Sequence, residues 1–348
     1  MRSGDFKETY ADLVVLSDSK PVWGWGLVLL VALVVLPFVV NAYILSLLTL
    51  VFITATGALG LNLLTGMTGL ISLGHAGFLL LGAYGYAIAV AKYHYPPLVG
   101  FLAAGVAPAL FSVVVGIPSL RLRGLYLAIT TLAFSYIIAN LILEARSFTG
   151  GARGISVLRP EFLGFDFSGD PAFALLCLFV CVVTLFACLN IARSRIGRAF
   201  MAIRDNDIAA RTMGVNLQSF KLYAFMTSAF ITGIAGALMG IYLSFVSVEG
   251  FPFLLSIEAL AILIVGGLGS SLGAILGAIF IVLLPEAIRI LFGVFGGGLE
   301  KILSTGVHEV KSIAYGVVIV LALRFEPRGL VGVWHDVKRL WTYWPLRY

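Results

Sequence analysis

Charged residues are scarce in this sequence. They make up 11% of the 348 residues, whereas about 25% is usual in a soluble domain. Hydrophobic residues make up 60%, and the mean hydropathy is +1.05. Because so little polar surface could not cover this much apolar surface in water, the composition excludes a soluble globular fold and indicates an integral membrane protein.

Cysteines and nucleotide-binding motifs are also rare or missing. Cys177, Cys181 and Cys188 fall in one apolar run without a partner in a predicted loop, which excludes a disulfide framework. No residues have the spacing of a metal site, so none is predicted. A G-x-x-x-x-G-K-S/T phosphate loop is missing, so ATP and Mg²⁺ are not expected to bind this chain. The first 22 residues lack the pattern of a cleaved signal peptide.

Long apolar runs are what the sequence has in abundance. A helix that crosses about 30 Å of hydrocarbon needs about 20 mostly apolar residues. Runs of this kind predict ten transmembrane helices, at roughly 22–42, 44–63, 77–93, 97–118, 124–145, 171–192, 220–245, 253–269, 271–292 and 312–325. The predicted fold is therefore an all-α integral membrane protein with about ten transmembrane helices.

Basic residues are distributed unequally between the connections. With both termini cytoplasmic, 16 of the 23 lysine and arginine residues lie on the cytoplasmic side, as the positive-inside rule requires. The chain then divides into a cytoplasmic segment at 1–21, a transmembrane domain at 22–325 and a cytoplasmic tail at 326–348. An external loop at 146–170 and a cytoplasmic loop at 193–220 are the two longest connections within the domain.

The cytoplasmic loop contains a short helix with well-marked ends. Asp205 is predicted to cap a helix at 206–213, and Gly214 suits the left-handed residue that follows a helix. Ala209 and Ala210 keep this helix slim, so another protein surface could approach it closely. A solvated loop helix without a partner is the alternative.

Glycine is concentrated within residues 57–85. Because glycine costs roughly 1 kcal/mol relative to alanine in a helix interior, this density predicts a broken or re-entrant segment near 65–76. Backbone groups freed at that depth need protein or water, since lipid offers no hydrogen bonds. Candidate partners are the side chains of Thr65, Thr68, Ser72 and His75. The segment would line a substrate path or form a gate, and close helix packing through small residues is the alternative.

Other polar or flexible positions lie in or between the later spans. Glu258 is placed inside a span, where it either faces a pathway or reaches water at the outer interface. Thr130 and Thr131 are interpreted as bonding back to their own helix. A second glycine cluster, Gly266, Gly267 and Gly269, falls on the same side of the membrane as the first.

Five motifs together carry a family resemblance. They are LTGMTGLISLGHAGF at 64–78, GLYLAITTLAF at 124–134, GRAFMAIRDNDIAARTMGVN at 197–216, EALAILIVGGLGSSLGAILGA at 258–278 and RFEPRGLVG at 324–332. In this order they resemble the LivM-type permeases of branched-chain amino acid ABC importers, over about residues 50–335. The related permeases for urea, short amides and aromatic acids are similar.

The resemblance implies a transport subunit and not an enzyme. Such a permease pairs with a second, homologous permease, two cytoplasmic ATPases that bind ATP and Mg²⁺, and a periplasmic substrate-binding protein, in the bacterial inner membrane. It would form half of a path for branched-chain or other hydrophobic amino acids. Urea, amides or small carboxylates are the first alternative. An ion-coupled secondary transporter is the second, for which Glu258 alone is thin support.

The resemblance also assigns roles to residues. Importers of this class carry a cytoplasmic docking helix with an Ala-Ala-x-x-x-Gly pattern, which Ala209, Ala210 and Gly214 match, although Ile208 stands where the family has Glu. The residues expected to couple to the ATPase are Arg198, Ile203, Arg204, Asp205, Asn206, Asp207, Ala209, Ala210, Arg211 and Gly214. Those expected to line the path or gate are Gly66, Thr68, Gly69, Ser72, His75, Gly77, Thr130, Thr131, Glu258, Gly266, Gly267 and Gly269.

Overall fold

A computed structural model gives the fold. It describes residues 20–119, 124–162, 165–295 and 328–343, together with isolated positions between 316 and 326. Most of the predicted N-terminal segment, the end of the C-terminal tail and most of the predicted span 312–325 lie outside the described residues.

Helices account for most of the described chain. In chain order they are α1 Lys20–Val39, α2 Ala42–Leu61, α3 His75–Ala87, α4 Pro97–Ser119, α5 Leu125–Glu144, α6 Arg146–Thr149, α7 Asp170–Arg193, α8 Arg195–Asp205, α9 Asp207–Thr212, α10 Leu217–Leu243, α11 Leu254–Gly266, α12 Ser271–Phe295 and α13 Gly329–Tyr343. Wider π-helical turns, Asn62–Met67 and Ile88–Lys92, continue α2 and α3.

The predicted spans from 22–42 to 271–292 all contain a helix. Six helices in the described part of the chain are long and apolar enough to cross a membrane: Ala42–Met67, Pro97–Val114, Leu125–Glu144, Asp170–Arg193, Leu217–Leu243 and Ser271–Ile290. Two apolar helices are shorter, Gly24–Val39 and Leu254–Gly266. Length and apolar content therefore agree with the all-α membrane fold that the composition predicts.

Helix α10 lies at the centre of the bundle, where it packs against α2, α3 and α4. Its span is 72% buried and that of α2 is 67% buried, whereas the other four candidate spans are 28–39% buried. Small residues allow this close approach, because a Cβ at Gly236 would lie 2.0 Å from the Leu79 carbonyl oxygen. The peripheral helices keep apolar faces exposed, as helices in contact with lipid do.

Short strands cover one end of the bundle. Strand β1, Ile155–Ser156, pairs antiparallel with β4, Phe245–Val246, while β2, Glu161–Phe162, pairs with β3, Phe165–Asp166. We call this end, beyond the last residues of α5 and α10, the hairpin end. Helices α8 and α9 directly precede α10 in the chain, so they lie at the opposite end of the bundle. We call this opposite end the loop end.

Candidate functional site

Helix α2 does not end in an ordinary cap at the loop end. It widens into the π turn Asn62–Met67, and the chain then turns at Gly69, whose φ is +74°. The Thr68 hydroxyl donates to the Leu63 carbonyl at 2.8 Å, and the Thr65 hydroxyl donates to the Leu70 carbonyl at 3.1 Å. Side chains therefore satisfy backbone groups that the widened turn releases, as predicted for Thr65 and Thr68.

Residues 69–74 form no helix and run back along α2. The segment ends at His75, whose Nε2 lies 3.2 Å from the position that a Cβ of Gly57 would occupy. At about 1.5 Å per residue, Gly57 is roughly 13 Å deeper in the bundle than Gly66. The predicted break is thus confirmed, and it spans a substantial part of the depth of the bundle.

The non-helical segment has one buried face and one exposed face. Leu70, Ser72 and Gly74 are buried, whereas Ile71 is 45% exposed and Gly69 is also exposed. Among the described residues, neither the N–H nor the C=O group of Ile71 has a hydrogen-bond partner. This alternation is typical of an extended chain, whose successive side chains point to opposite faces, so the Ile71 side chain points away from the packed face of the segment.

Neighbouring helices hold the deep end of the segment. The Leu73 N–H donates to Thr131 Oγ1 on α5 at 2.9 Å, and the Ala76 N–H donates to Ser256 Oγ on α11, also at 2.9 Å. Gly77 packs so closely on α5 that a Cβ would lie 2.9 Å from the Ser135 Cα. Helix α3 therefore starts inside the bundle, with α5 and α11 satisfying backbone groups at its first turn.

The second glycine cluster lies directly beside the first. Gly267 and Gly269, with φ of +117° and +83°, form the turn between α11 and α12. The Gly269 N–H donates to Asn62 Oδ1 at 3.0 Å, across 207 positions of sequence. We call these two contacting turns, residues 62–69 and 266–270, the glycine junction. The sequence places both clusters at one end of the bundle, and the structure joins them.

The C-terminal motif packs on the same junction. A Cβ at Gly267 would lie 2.7 Å from the Arg328 carbonyl oxygen, and one at Gly329 would lie 2.5 Å from the Gly267 nitrogen. Helix α13 therefore begins against the turn between α11 and α12. Motifs that stand far apart in the sequence converge on one small region at the loop end.

Arg204, in the last turn of α8, reaches into the junction. Its Nη1 donates to the Gly66 carbonyl oxygen at 2.8 Å, and its Cγ lies 3.0 Å from the position of a Cβ on Gly69. The same Nη1 lies 2.6 Å from the position of a Cβ on Gly269. Its Nε is 3.5 Å from Asp205 Oδ1, and the Arg204 side chain is 42% exposed. One guanidinium thus contacts both glycine turns.

Two short helices form the surface of the loop end. The Ser194 hydroxyl caps α8 by accepting from the Gly197 N–H at 3.2 Å, and α8 buries Phe200 and Ile203 against the bundle. Asn206, not Asp205 as predicted, caps α9: its Oδ1 accepts from the N–H groups of Ile208 and Ala209 at 3.0 Å. Asp205 remains in α8, where the chain has not yet left the helix.

The exposed face of α9 differs in part from the prediction. Ala209 is exposed, but Ala210 is 4% exposed and packs inside the chain. Ile203 is likewise buried, at 5% exposure, so neither residue can be the surface that a partner meets. Two large apolar side chains stand out instead, Ile208 at 65% and Met213 at 86% exposure. Gly214 has a φ of +88°, as predicted for the helix end.

The remaining predicted site residues lie on four helices, α5, α8, α9 and α11. Asp207 and Arg211 occupy the first and last turns of α9, and Arg198 Nη1 donates to the Arg193 carbonyl at 3.1 Å. Thr130 bonds back to Tyr126 of its own helix, as expected. Glu258 is half-buried in the second turn of α11, away from the junction. Among the described residues, no group of three His, Cys, Asp or Glu side chains could hold a metal ion.

Two residues of the site were missed in the sequence. Asn62 accepts the hydrogen bond that joins the glycine turns, and Ser256 accepts the one that anchors α3. Asn62 is 1% exposed and Ser256 is fully buried. A polar side chain within an apolar run, next to a glycine cluster, was the signal available for Asn62.

Comparisons with known proteins agree with this architecture. A family model described as the permease component of the branched-chain amino acid transport system matches residues 43–323. The high-affinity branched-chain amino acid transport permease LivM of Escherichia coli K12 is 35% identical over 331 residues, which cover 87% of this chain and 73% of that protein. LivM of Salmonella typhimurium is 34% identical over 331 residues, which cover the same 87% of this chain and 73% of that protein.

A second type of permease is also similar. The probable branched-chain amino acid transport permease LivH of Methanocaldococcus jannaschii is 27% identical over 218 residues, which cover 62% of this chain and 66% of that protein. The apolar helices fit the multi-pass membrane location of such proteins. Because the family model and LivM both match most of its length, this chain belongs to the family of branched-chain amino acid transport permeases.

Proposed function

We propose that this chain is a permease subunit of an ATP-driven importer and that it forms half of a path for branched-chain or other hydrophobic amino acids. The observation that carries the proposal is the 35% identity to LivM over 87% of the chain, with that protein named as a branched-chain amino acid transport permease. The glycine junction and the exposed helix α9 are the structural features that such a function would use.

The proposal includes the arrangement in the membrane. About ten transmembrane helices cross it, both termini are cytoplasmic, and the loop end faces the cytoplasm. Support comes from the basic residues, because the loop at 193–220 alone carries five arginines, Arg193, Arg195, Arg198, Arg204 and Arg211. Basic residues in short loops are retained on the cytoplasmic side.

In this proposal the exposed side of residues 69–74 lines the translocation path. The segment lies at membrane depth, and the backbone groups of Ile71 have no partner among the described residues. Lipid cannot supply hydrogen bonds, so in this proposal the exposed side of the segment faces water or protein. A water-filled path between two permeases would provide that environment, as it does for the broken helices of other transporters.

The partners follow from the same proposal. A second, homologous permease would complete the path, two ATPases would bind ATP and Mg²⁺, and a periplasmic binding protein would deliver the substrate. The similarity to both LivM and LivH supports a pair of related permeases. Helix α9, with exposed Ile208 and Met213, would seat in an ATPase groove, where these two side chains would be removed from water.

Reconstitution into vesicles tests the function. Wild-type chain is combined with its partner permease, the ATPases and the binding protein, and uptake of radiolabelled leucine, valine and urea is measured with and without ATP. We expect ATP-dependent leucine and valine uptake that stops when this chain is omitted. Uptake of urea alone would contradict the substrate class, and uptake driven by an ion gradient without ATP would contradict the transport class.

A further inference from the structure

The contacts of Arg204 set it apart from the other arginines of the loop end. Its Nη1 donates to the Gly66 carbonyl at 2.8 Å, across 138 positions of sequence. This carbonyl belongs to a π turn at the end of α2, where backbone acceptors lack helical partners. A charged donor to such an acceptor gives a stronger hydrogen bond than a neutral donor.

The aliphatic part of the side chain adds a steric contact. Gly69 lies so close that a Cβ there would be 3.0 Å from the Arg204 Cγ and 3.5 Å from its Cα. Gly69 also has a φ of +74°, a conformation that residues with a side chain rarely adopt. The Arg204 side chain on α8 is therefore packed closely against the backbone of Gly69, at the start of the non-helical segment.

The other glycine turn is tied to the same point. Asn62 Oδ1 accepts from the Gly269 N–H at 3.0 Å, and the Arg204 guanidinium lies over Gly269. Only Asn206 separates α8 from α9, so Arg204 stands three positions before the first turn of the exposed helix. A displacement of α9 thus reaches both glycine turns through Arg204, in addition to the buried contacts that Phe200 and Ile203 of α8 make with the bundle.

We propose that Arg204 is the positioning residue that makes α8, α9 and the glycine junction move as one body. The proposal rests on the proposed function, in which α9 seats on an ATPase and residues 69–74 line the path. Tight packing transmits displacement, whereas a loose loop would absorb it. Without the guanidinium, α9 could move with the ATPase while the junction stays in place, and ATP hydrolysis would be uncoupled from transport.

The test compares matched variants in the complete, reconstituted importer. Arg204→Met keeps an unbranched side chain and removes the donor, and Arg204→Lys restores one cationic donor. Arg195→Met is the control, because Arg195 is exposed in the first turn of the same helix and makes no contact with the junction. Leucine uptake, basal ATP hydrolysis and hydrolysis stimulated by loaded binding protein are measured for each.

Arg204→Met is expected to assemble normally and to keep basal hydrolysis, but to lose both stimulation by binding protein and uptake. Arg204→Lys should recover part of both, and Arg195→Met should behave as wild type. A residue needed only for folding would lower assembly and basal hydrolysis together. If the wild type itself shows no ATP-dependent uptake, the proposed function fails. If wild type and Arg204→Met transport equally, only the role of Arg204 fails.

A spectroscopic measurement tests the rigid body directly. Spin labels are attached at Met201→Cys on α8, which is not one of the side chains proposed to seat on the ATPase, and at Leu268→Cys in the second glycine turn, both exposed positions. We expect the same narrow distance distribution with and without ATP in the wild-type background, and a broadened or shifted one with Arg204→Met. A distance that changes with ATP in the wild type, or one unaffected by Arg204→Met, would overturn the proposal.

Discussion

Gly66 is a residue of the junction that has no room for a side chain. A Cβ there would lie 2.0 Å from Asn62 Oδ1 and 2.6 Å from the Gly269 nitrogen. Both atoms belong to the hydrogen bond that joins the two glycine turns. Even the smallest side chain at this position would therefore separate the turns.

We predict that Gly66→Ala destabilises the purified importer by about 1–3 kcal/mol, the usual range for overpacking, and lowers leucine uptake strongly. Thermal unfolding of the detergent-purified complex measures the first effect. Gly26→Ala is the matched control, since a Cβ at Gly26 in α1 meets nothing within 4 Å. Equal melting temperatures for the two variants would show that the junction tolerates a side chain.

Helix α9 shows how an element can be predicted correctly while its surface is not. The helix lies at Asp207–Thr212, inside the predicted 206–213, because polar capping residues and glycine mark helix ends in any context. Asp205 and Asn206 are both good caps, so composition alone could not choose between them. Which alanine is buried depends on the packing of α9 against its neighbours, which the sequence of six residues does not contain.

Ala209, and not Ala210, is the exposed alanine at which the docking surface of α9 can be probed. We predict that Ala209→Glu abolishes copurification of the ATPases while the permease pair still assembles, because a partner pocket would have to bury the added charge. Ala152→Glu, an exposed alanine at the hairpin end, is the control. Normal ATPase copurification with Ala209→Glu would leave α9 as a connector only. Ala210→Glu is unsuitable, since it would place a charge inside the chain.

The helices and the break could be predicted because their causes are local. Bilayer thickness sets the length of an apolar run, and the density of glycine near 65–76 disfavours a continuous helix. The glycine junction could not be predicted from the sequence, because its hydrogen bonds join Asn62 to Gly269 and Arg204 to Gly66. Contacts across 138 and 207 positions depend on how whole helices pack, and one sequence does not reveal that.

At the scale of the whole molecule, the distribution of basic residues predicts the orientation in the membrane. Single cysteines at Ser168 and Gln218 should react with an impermeant thiol reagent from opposite sides, outside and inside respectively. The native cysteines need no removal, because Cys177, Cys181 and Cys188 are all buried. Labelling of both positions from one side would invalidate the arrangement with both termini in the cytoplasm.

The hairpin end differs mechanically from the loop end. Strands β1 and β4 pair the segment after α5 with the segment after α10, and Lys92 Nζ donates to backbone carbonyls of Ser147 and Phe148. Paired strands thus hold the bundle together at the hairpin end, and the tightly packed glycine junction lies at the opposite end. A displacement of α9 by an ATPase would then tilt the helices of the bundle about the hairpin end. In the proposed importer, the hairpin end would then open by rotation of this whole chain against its partner permease.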